Sequence, residues 1–244
     1  MTFSLSRAVI LRAFVALLAA FAGVSTALAD EAVIRKTLEA RYGGMHIDSV
    51  EKTPYLNLWE VRIGNSVVYT DSAANFIFSG EIIDTKTRQN LTQERIDKLT
   101  AVKFSELPLD QAFKIVRGNG RRQLAYFTDP NCPYCKRLDK DLVQLNDATI
   151  HVFLYPILSP DSAVKAKSVW CSADRAKAWS DWMVGGIAPT ADGGCATPVE
   201  KNVALGQKYH ITGTPTLIFA DGRRVPGVIP LAEVNRLLDE ATPK

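Results

Sequence analysis

The chain reads as an α+β protein built in series: a small N-terminal antiparallel sheet, a connector helix and a C-terminal α/β domain. Three observations predict this. Residues 47–84 carry short apolar–polar alternations separated by turn residues such as Gly64-Asn65, the pattern of strands joined by tight turns. Residues 124–155 run apolar segment, helical segment, apolar segment, the size of a βαβ unit with parallel strands. Beyond residue 211 the order becomes strand, Asp221-Gly222 turn, edge strand and amphipathic helix, a ββα unit.

The first stretch of the 244 residues is a targeting segment rather than part of the fold. Arg7 and Arg12 flank the apolar core 13–22, and Ala27-Leu28-Ala29 has the small-residue form of a cleavage site. Residues 1–29 are therefore expected to be a secretory signal peptide, with the mature chain starting at Asp30. The alternative, an uncleaved anchor, fits less well because the apolar run is short for a span. No other stretch approaches membrane length, so a soluble exported protein without stable membrane insertion is expected. About 215 residues remain, enough for one large or two small domains. The formal charge of +3, with no basic run interleaved with aromatics, gives no sign of a nucleic-acid partner.

Each element follows from local pattern. Residues 31–42 have helical spacing, with Val33, Ile34, Leu38 and Tyr42 on one side, and Gly43-Gly44 ends them. Strands are expected at 47–50, 56–63, 67–70 and 76–84, with Asp48, Glu51, Glu60 and Asp71 on solvated faces rather than in an acid–base pair. Such a sheet has edges that need covering, which suggests dimerisation. Asn90 is the expected cap of a helix over 91–100 with Ile96 and Leu99 on one side. An extended break at 104–108 and a helical pattern over 109–116 follow, so residues 91–117 read as a linker between residues 30–90 and 118–244. Further on, a strand is expected at 124–127, a helix at 133–146 packed through Leu138, Leu142 and Leu145, and a strand at 149–155 with His151 a satisfied strand residue. Helices are expected at 162–182, 197–209 and 231–240, and an edge strand at 225–228.

The chemistry sits at the first strand-to-helix junction, Cys132-Pro133-Tyr134-Cys135. A helix amino end carries unpaired N–H groups and partial positive charge. Both favour a thiolate, so Cys132 is expected to attack and Cys135 to resolve. Pro133 suits the first helical position, where no N–H is needed. A zinc site would need a second ligand pair, yet Cys171 and Cys195 form no second CxxC and His46, His151 and His210 are scattered. A purely structural disulfide in so small a ring would remove little chain entropy. No metal or organic cofactor is expected. Thr214-Pro215 precedes an apolar strand; X-Pro bonds are the ones that can be cis, and Thr214 so turned would offer its backbone to an extended substrate.

Phe127-Thr128-Asp129 leading into Cys132–Cys135, the segment Thr212-Gly213-Thr214-Pro215, and Val225-Pro226-Gly227 together resemble the DsbC/DsbG family of periplasmic disulfide isomerases, in the thioredoxin superfamily. The resemblance covers essentially the whole chain. It implies a cystatin-like N-terminal dimerisation domain, a thioredoxin-like redox domain, and a V-shaped homodimer with an apolar cleft between its arms. It also implies a substrate contact through Thr214, Pro215 and Tyr134, a structural disulfide between Cys171 and Cys195, and reduction by a DsbD-type membrane protein. Two free buried thiols are the alternative for Cys171 and Cys195. One position departs from the family: Pro133 stands where glycine is usual, which stiffens the helix start and retunes the potential.

The expected activity is rearrangement of non-native disulfides in misfolded exported proteins, in the periplasm. Two other classes stay open. A dithiol oxidase would be a monomer with a strongly oxidising couple. A holdase-type chaperone would survive loss of Cys132 and depend on dimerisation.

Overall fold

A computed structural model describes residues 30–242. The expected signal peptide and its cleavage site lie outside the described residues. The chain divides into two compact units, the first ending at Ile96 and the second beginning at Asp97.

In the first unit a helix over 30–41 (α1) packs on one four-stranded antiparallel sheet. Its strands are β1 (Ser49–Lys52), β2 (Trp59–Ile63), β3 (Ser66–Thr70) and β4 (Ile77–Phe78) in sequence order. Ile34 and Leu38, one turn apart, meet Ile47, Val50, Trp59, Val61 and Ala74 in the core. Val33 and Tyr42, expected on the buried side, are each 50% exposed. They fall on the flanks of the stripe whose buried centre is Ile34 and Leu38. β2 starts at Trp59 rather than at 56, because Leu56 and Asn57 adopt positive φ in the preceding turn. The β2–β3 hairpin turns at Gly64-Asn65, pairing Ile63 with Ser66. The strand expected over 76–84 shrinks to two residues.

One acidic residue expected in solvent, Glu60, is not there, whereas Asp71 stays accessible. Glu60 is buried and accepts a 2.8 Å hydrogen bond from Arg95 Nε. Asp71 accepts from the N–H groups of Asn75 and Phe76 and shapes the β3–β4 loop.

Helix α2 (Leu91–Thr100) starts at Asn90, whose Oδ1 accepts from Gln93 N at 2.9 Å, so one orphan donor of the first turn is satisfied. The helix ends at Thr100. Two single 3-10 turns follow, and Phe113–Arg117 is strand β5, not the continuation of a helix. Phe113 and Ile115 point inward while Lys114 and Val116 point out. That period of two outweighs the helical reading once β7 offers a ladder.

The second unit holds a five-stranded sheet in the order β5-β7-β6-β8-β9. β6 (Arg122–Thr128), helix α3 (Pro133–Leu142) and β7 (Ala148–Leu154) form the parallel βαβ half. β8 (Thr216–Phe219), β9 (Arg224–Pro226) and helix α7 (Leu231–Ala241) form the antiparallel half. Gly222, at φ +91°, turns β8 into β9, and a side chain there would meet the Val102 carbonyl at 2.8 Å. β7 is buried throughout and β6 everywhere but Gln123, as strands covered on both faces must be. The 162–182 stretch is two helices, α4 (Pro160–Cys171) and α5 (Arg175–Met183). Ser172 is extended and Asp174 caps α5 by accepting from Lys177 N, so local capping chemistry breaks a continuous helical pattern. α6 (Val199–Lys208) completes the unit. Cys171, at the end of α4, is disulfide-bonded to Cys195, with Cα atoms 5.7 Å apart. His151 bonds through Nε2 to Gln123 at 2.8 Å, while its Nδ1 is buried without a partner. Burial, with Lys114 nearby, lowers its pKa to about 4.

Candidate active site

The site is built where β6 ends and α3 begins. Asp129 follows the strand and is wholly buried. One oxygen accepts from Asn131 N at 2.8 Å and the other from Ile157 N and Leu158 N at 2.9 and 3.0 Å. Those three bonds tie the motif loop to the segment after β7. Trp182 Nε1 donates to the Pro130 carbonyl at 2.6 Å, and Lys136 Nζ sits 3.7 Å above the same indole.

Cys132 is the N-cap of α3 and Pro133 its first residue. The Cys132 sulfur accepts the Cys135 N–H at 3.2 Å and lies 3.3 Å from the Thr214 carbonyl oxygen. The Thr214–Pro215 bond is cis, and the Pro215 carbonyl accepts from Gly227 N at 2.8 Å. The two motif thiols are unbonded and buried.

Their acidities are driven apart. A hydrogen bond from the Cys135 thiol does most to lower Cys132, and Thr214 and the backbone N–H groups of Cys135 and Tyr134 add to it. Together they outweigh burial and bring it to about 6. Cys135 is pushed strongly up, first by burial and then by its bond to Cys132, while the Thr128 hydroxyl and the Asp129 N–H oppose the rise. One sulfur is thus primed as a thiolate and the other kept as a thiol. A thiolate is the form that attacks a disulfide.

Tyr134 is 64% exposed and borders a groove of about 830 Å³ that also includes Thr214, the residue whose carbonyl meets the Cys132 sulfur. Tyr134, Arg137, Asp141 and Gln144 of α3 form one wall, Thr214 and Pro215 the end, and Gly227–Leu231 the other wall. The structure therefore brings Cys132, Cys135, Tyr134, Thr214 and Pro215 together. Cys171 and Cys195 lie apart from them in a disulfide. Among the described residues no group of three or more His, Cys, Asp or Glu side chains is arranged to hold a metal.

Sequence reasoning missed the buried shell under the dithiol. Asp139, one turn after Cys135, accepts from Trp179 Nε1 at Oδ1 and from the Tyr126 hydroxyl at Oδ2, both at 2.9 Å. Tyr126 also donates to the Cys135 carbonyl at 3.4 Å. Burial raises the Asp139 pKa to about 7; the two donors oppose the rise and the Cys132 charge adds to it. The available signal was positional: Asp139 stands beside Leu138 and four residues after Cys135, on the packed side of α3.

Residues 109–242 match the thioredoxin-like domain family, and residues 25–93 match the disulfide bond isomerase protein N-terminal domain. A probable thiol:disulfide interchange protein DsbC of Bordetella avium is 47% identical over 205 residues, 84% of this chain and 73% of that protein. The thiol:disulfide interchange protein DsbC of Escherichia coli K12 is 28% identical over 231 residues, 92% of this chain and 93% of that protein. A crystal structure of the disulfide interchange protein from Neisseria gonorrhoeae is similar with a TM-score of 0.54 and 41% identity, covering 57% of this chain and all of that one. With its two families in order, its near-complete coverage and its CxxC at a helix start, the chain belongs to the DsbC family of thiol:disulfide interchange proteins.

Proposed function

We propose that Cys132 is the attacking thiolate and Cys135 the resolving thiol of a disulfide isomerase acting on exported proteins. The observation that carries this is the split in acidity between the two sulfurs, about 6 for Cys132 and strongly raised for Cys135. Reduced Cys132 attacks a non-native disulfide; one substrate sulfur leaves as a thiolate and the other joins Cys132 in a mixed disulfide. A substrate thiolate then displaces Cys132, and the enzyme departs reduced. When no such thiolate arrives, Cys135 displaces the substrate, leaving Cys132–Cys135 oxidised and the substrate reduced. Thr214 and Pro215 at the groove end and Tyr134 on its rim are the proposed substrate contacts.

The leader sequence and membership of a periplasmic family support a mature chain that starts at Asp30 and works in the periplasm. Oxidised enzyme there needs a reductant, for which a DsbD-type membrane protein is proposed. Residues 30–90 are proposed as a homodimerisation domain, residues 91–117 as the linker and 118–244 as the redox domain. Apolar side chains exposed at the β4 edge, Phe76 just before the strand and Phe78 in it, support dimerisation, because large exposed apolar patches usually mark contact surfaces.

Refolding of a scrambled multi-disulfide protein tests the central claim. Reduced enzyme is expected to restore native activity, and Cys132→Ser to restore none. Cys135→Ser is expected to accumulate mixed disulfides that vanish with reductant. Recovery only from a reduced substrate, by oxidised enzyme, would make the protein an oxidase. Suppressed aggregation without recovery would make it a chaperone.

A further inference from the structure

The resolving step poses a proton problem. Cys135 must become a thiolate to attack, yet its thiol is fully buried and strongly raised. In the mixed disulfide Cys132 is bonded to substrate and has no charge with which to take that proton. Water does not reach the sulfur from outside, so the acceptor must be a buried neighbour.

Two buried carboxyls lie near. The oxygens of Asp129 are taken by three backbone N–H groups. Asp139 stands four residues after Cys135 on the same helix, a spacing that brings Cβ atoms about 5–6 Å apart. The Tyr126 hydroxyl ties its Oδ2 to the Cys135 turn, bonding both.

We propose that Asp139 accepts the proton that Cys135 loses when it resolves a mixed disulfide, and returns it when the dithiol is reduced again. The inference rests on the dithiol reading given above. The step balances: the Cys135 sulfur forms a bond to Cys132, the substrate sulfur leaves with the electron pair, and the Cys135 proton passes to the Asp139 carboxylate. Reduction reverses the transfer.

Electrostatics favour this timing. The Cys132 charge disfavours ionised Asp139, and that charge disappears when the mixed disulfide forms. The carboxylate is thus easiest to hold at the moment an acceptor is required. The Asp139 pKa of about 7 leaves both of its forms accessible at neutral pH, the condition under which a general base works best.

The proton also has a way out. A cavity of about 20 Å³ is lined by Asp139, Tyr126, Trp179, Ser180 and Arg117, room enough for one water. Arg117 Nε is buried there without a hydrogen-bond partner, which supplies a donor for that water. The titratable and charged groups around Asp139 are thus Cys132 at the cap of α3, Tyr126 from β6 and Arg117 from β5, with Cys135 one turn before it on α3; Trp179 of α5 faces it as a neutral donor.

The test separates the two steps in single-turnover reduction of a disulfide-linked fluorophore–quencher peptide, with acid-quenched samples counted for adduct. In the wild type the resolution rate is expected to rise with pH through an inflection below the value of about 7 that Asp139 has beside a charged Cys132, because that charge is absent in the mixed disulfide. Asp139→Asn should lose that inflection and resolve roughly 100-fold more slowly above it, while adduct formation keeps its wild-type rate. Asp139→Glu should restore the inflection. Trp179→Phe removes a donor that favours the carboxylate, so it should move the inflection to higher pH. A wild-type resolution profile in Asp139→Asn overturns the proposal. So does equal slowing of both steps without rescue by Asp139→Glu. Should Asp139→Asn not fold, an unshifted inflection in Trp179→Phe overturns it alone. Cys135→Ser is the control: no trapped adduct there would defeat the dithiol reading itself, whereas failure of the Asp139 proposal leaves that trapping intact.

Discussion

The Cys132 sulfur occupies the position an N-capping oxygen would take, and it receives the helix N–H groups in the same way. Its pKa falls from an ordinary 9.0 to about 6. Two outcomes follow. Alkylation of the reduced protein by iodoacetamide should be half-maximal near that pH, with Cys135 unmodified until the protein unfolds. The stability of reduced wild type relative to Cys132→Ser should also depend on pH. Between the folded and unfolded pKa values the unfolded chain holds a proton that the native one has lost, so stability rises with pH there. The gain is complete above about 9 and is lost as pH falls through about 6, with a slope of up to about 1.4 kcal/mol per pH unit. Urea midpoints across pH, in reductant, measure it; a flat difference would contradict the lowered pKa.

At the scale of elements, the site depends on helices that do not carry it. α5 brings Trp179 to Asp139 and Trp182 to the Pro130 carbonyl, and its start is held by Asp174. Asp174→Ala should cost about 1 kcal/mol in urea unfolding. In the N-terminal unit, Arg95 of α2 is bound to Glu60 and Glu51 on the sheet. Glu60→Ala leaves the guanidinium without its buried partner and should cost about 2 kcal/mol. Local pattern revealed most helices and strands, and two of its misreadings show what it lacks. Phe113–Arg117 became a strand because pairing with β7 satisfies its backbone. The 162–182 stretch split because Asp174 caps a second helix, and capping competes with helix continuation only through local hydrogen bonds that periodicity does not register.

At the scale of the whole molecule, covalent and non-covalent ties make different contributions. The Cys171–Cys195 bond closes a loop across a separation of 24 residues, and opening it should lower stability by about 3 kcal/mol by the chain-entropy argument. Replacing both residues by alanine and comparing urea midpoints checks this, and thiol exchange by the Cys132 pair is expected to survive. Dimerisation is tested by Phe78→Glu, which places a charge on the exposed sheet edge. Light scattering should show a monomer, and isomerisation of scrambled substrate should fall while alkylation of Cys132 is unchanged. A wild-type monomer at micromolar concentration would refute the proposed dimer.

The sequence by itself determined the two-part α+β plan, the βαβ and ββα halves and a CxxC at a helix start, because periodicity, turn chemistry and helix-end electrostatics are local. It also carried the family, through motifs spread over the whole chain. Only the tertiary structure decided that Glu60 is buried against Arg95, that Thr214 meets the Cys132 sulfur, and that Asp139 lies beneath Cys135 between Tyr126 and Trp179. Each of these joins residues distant in the chain, and the protonation behaviour of a buried carboxyl or thiol is set by its desolvation and its partners. Residue type and spacing specify neither until the chain is packed.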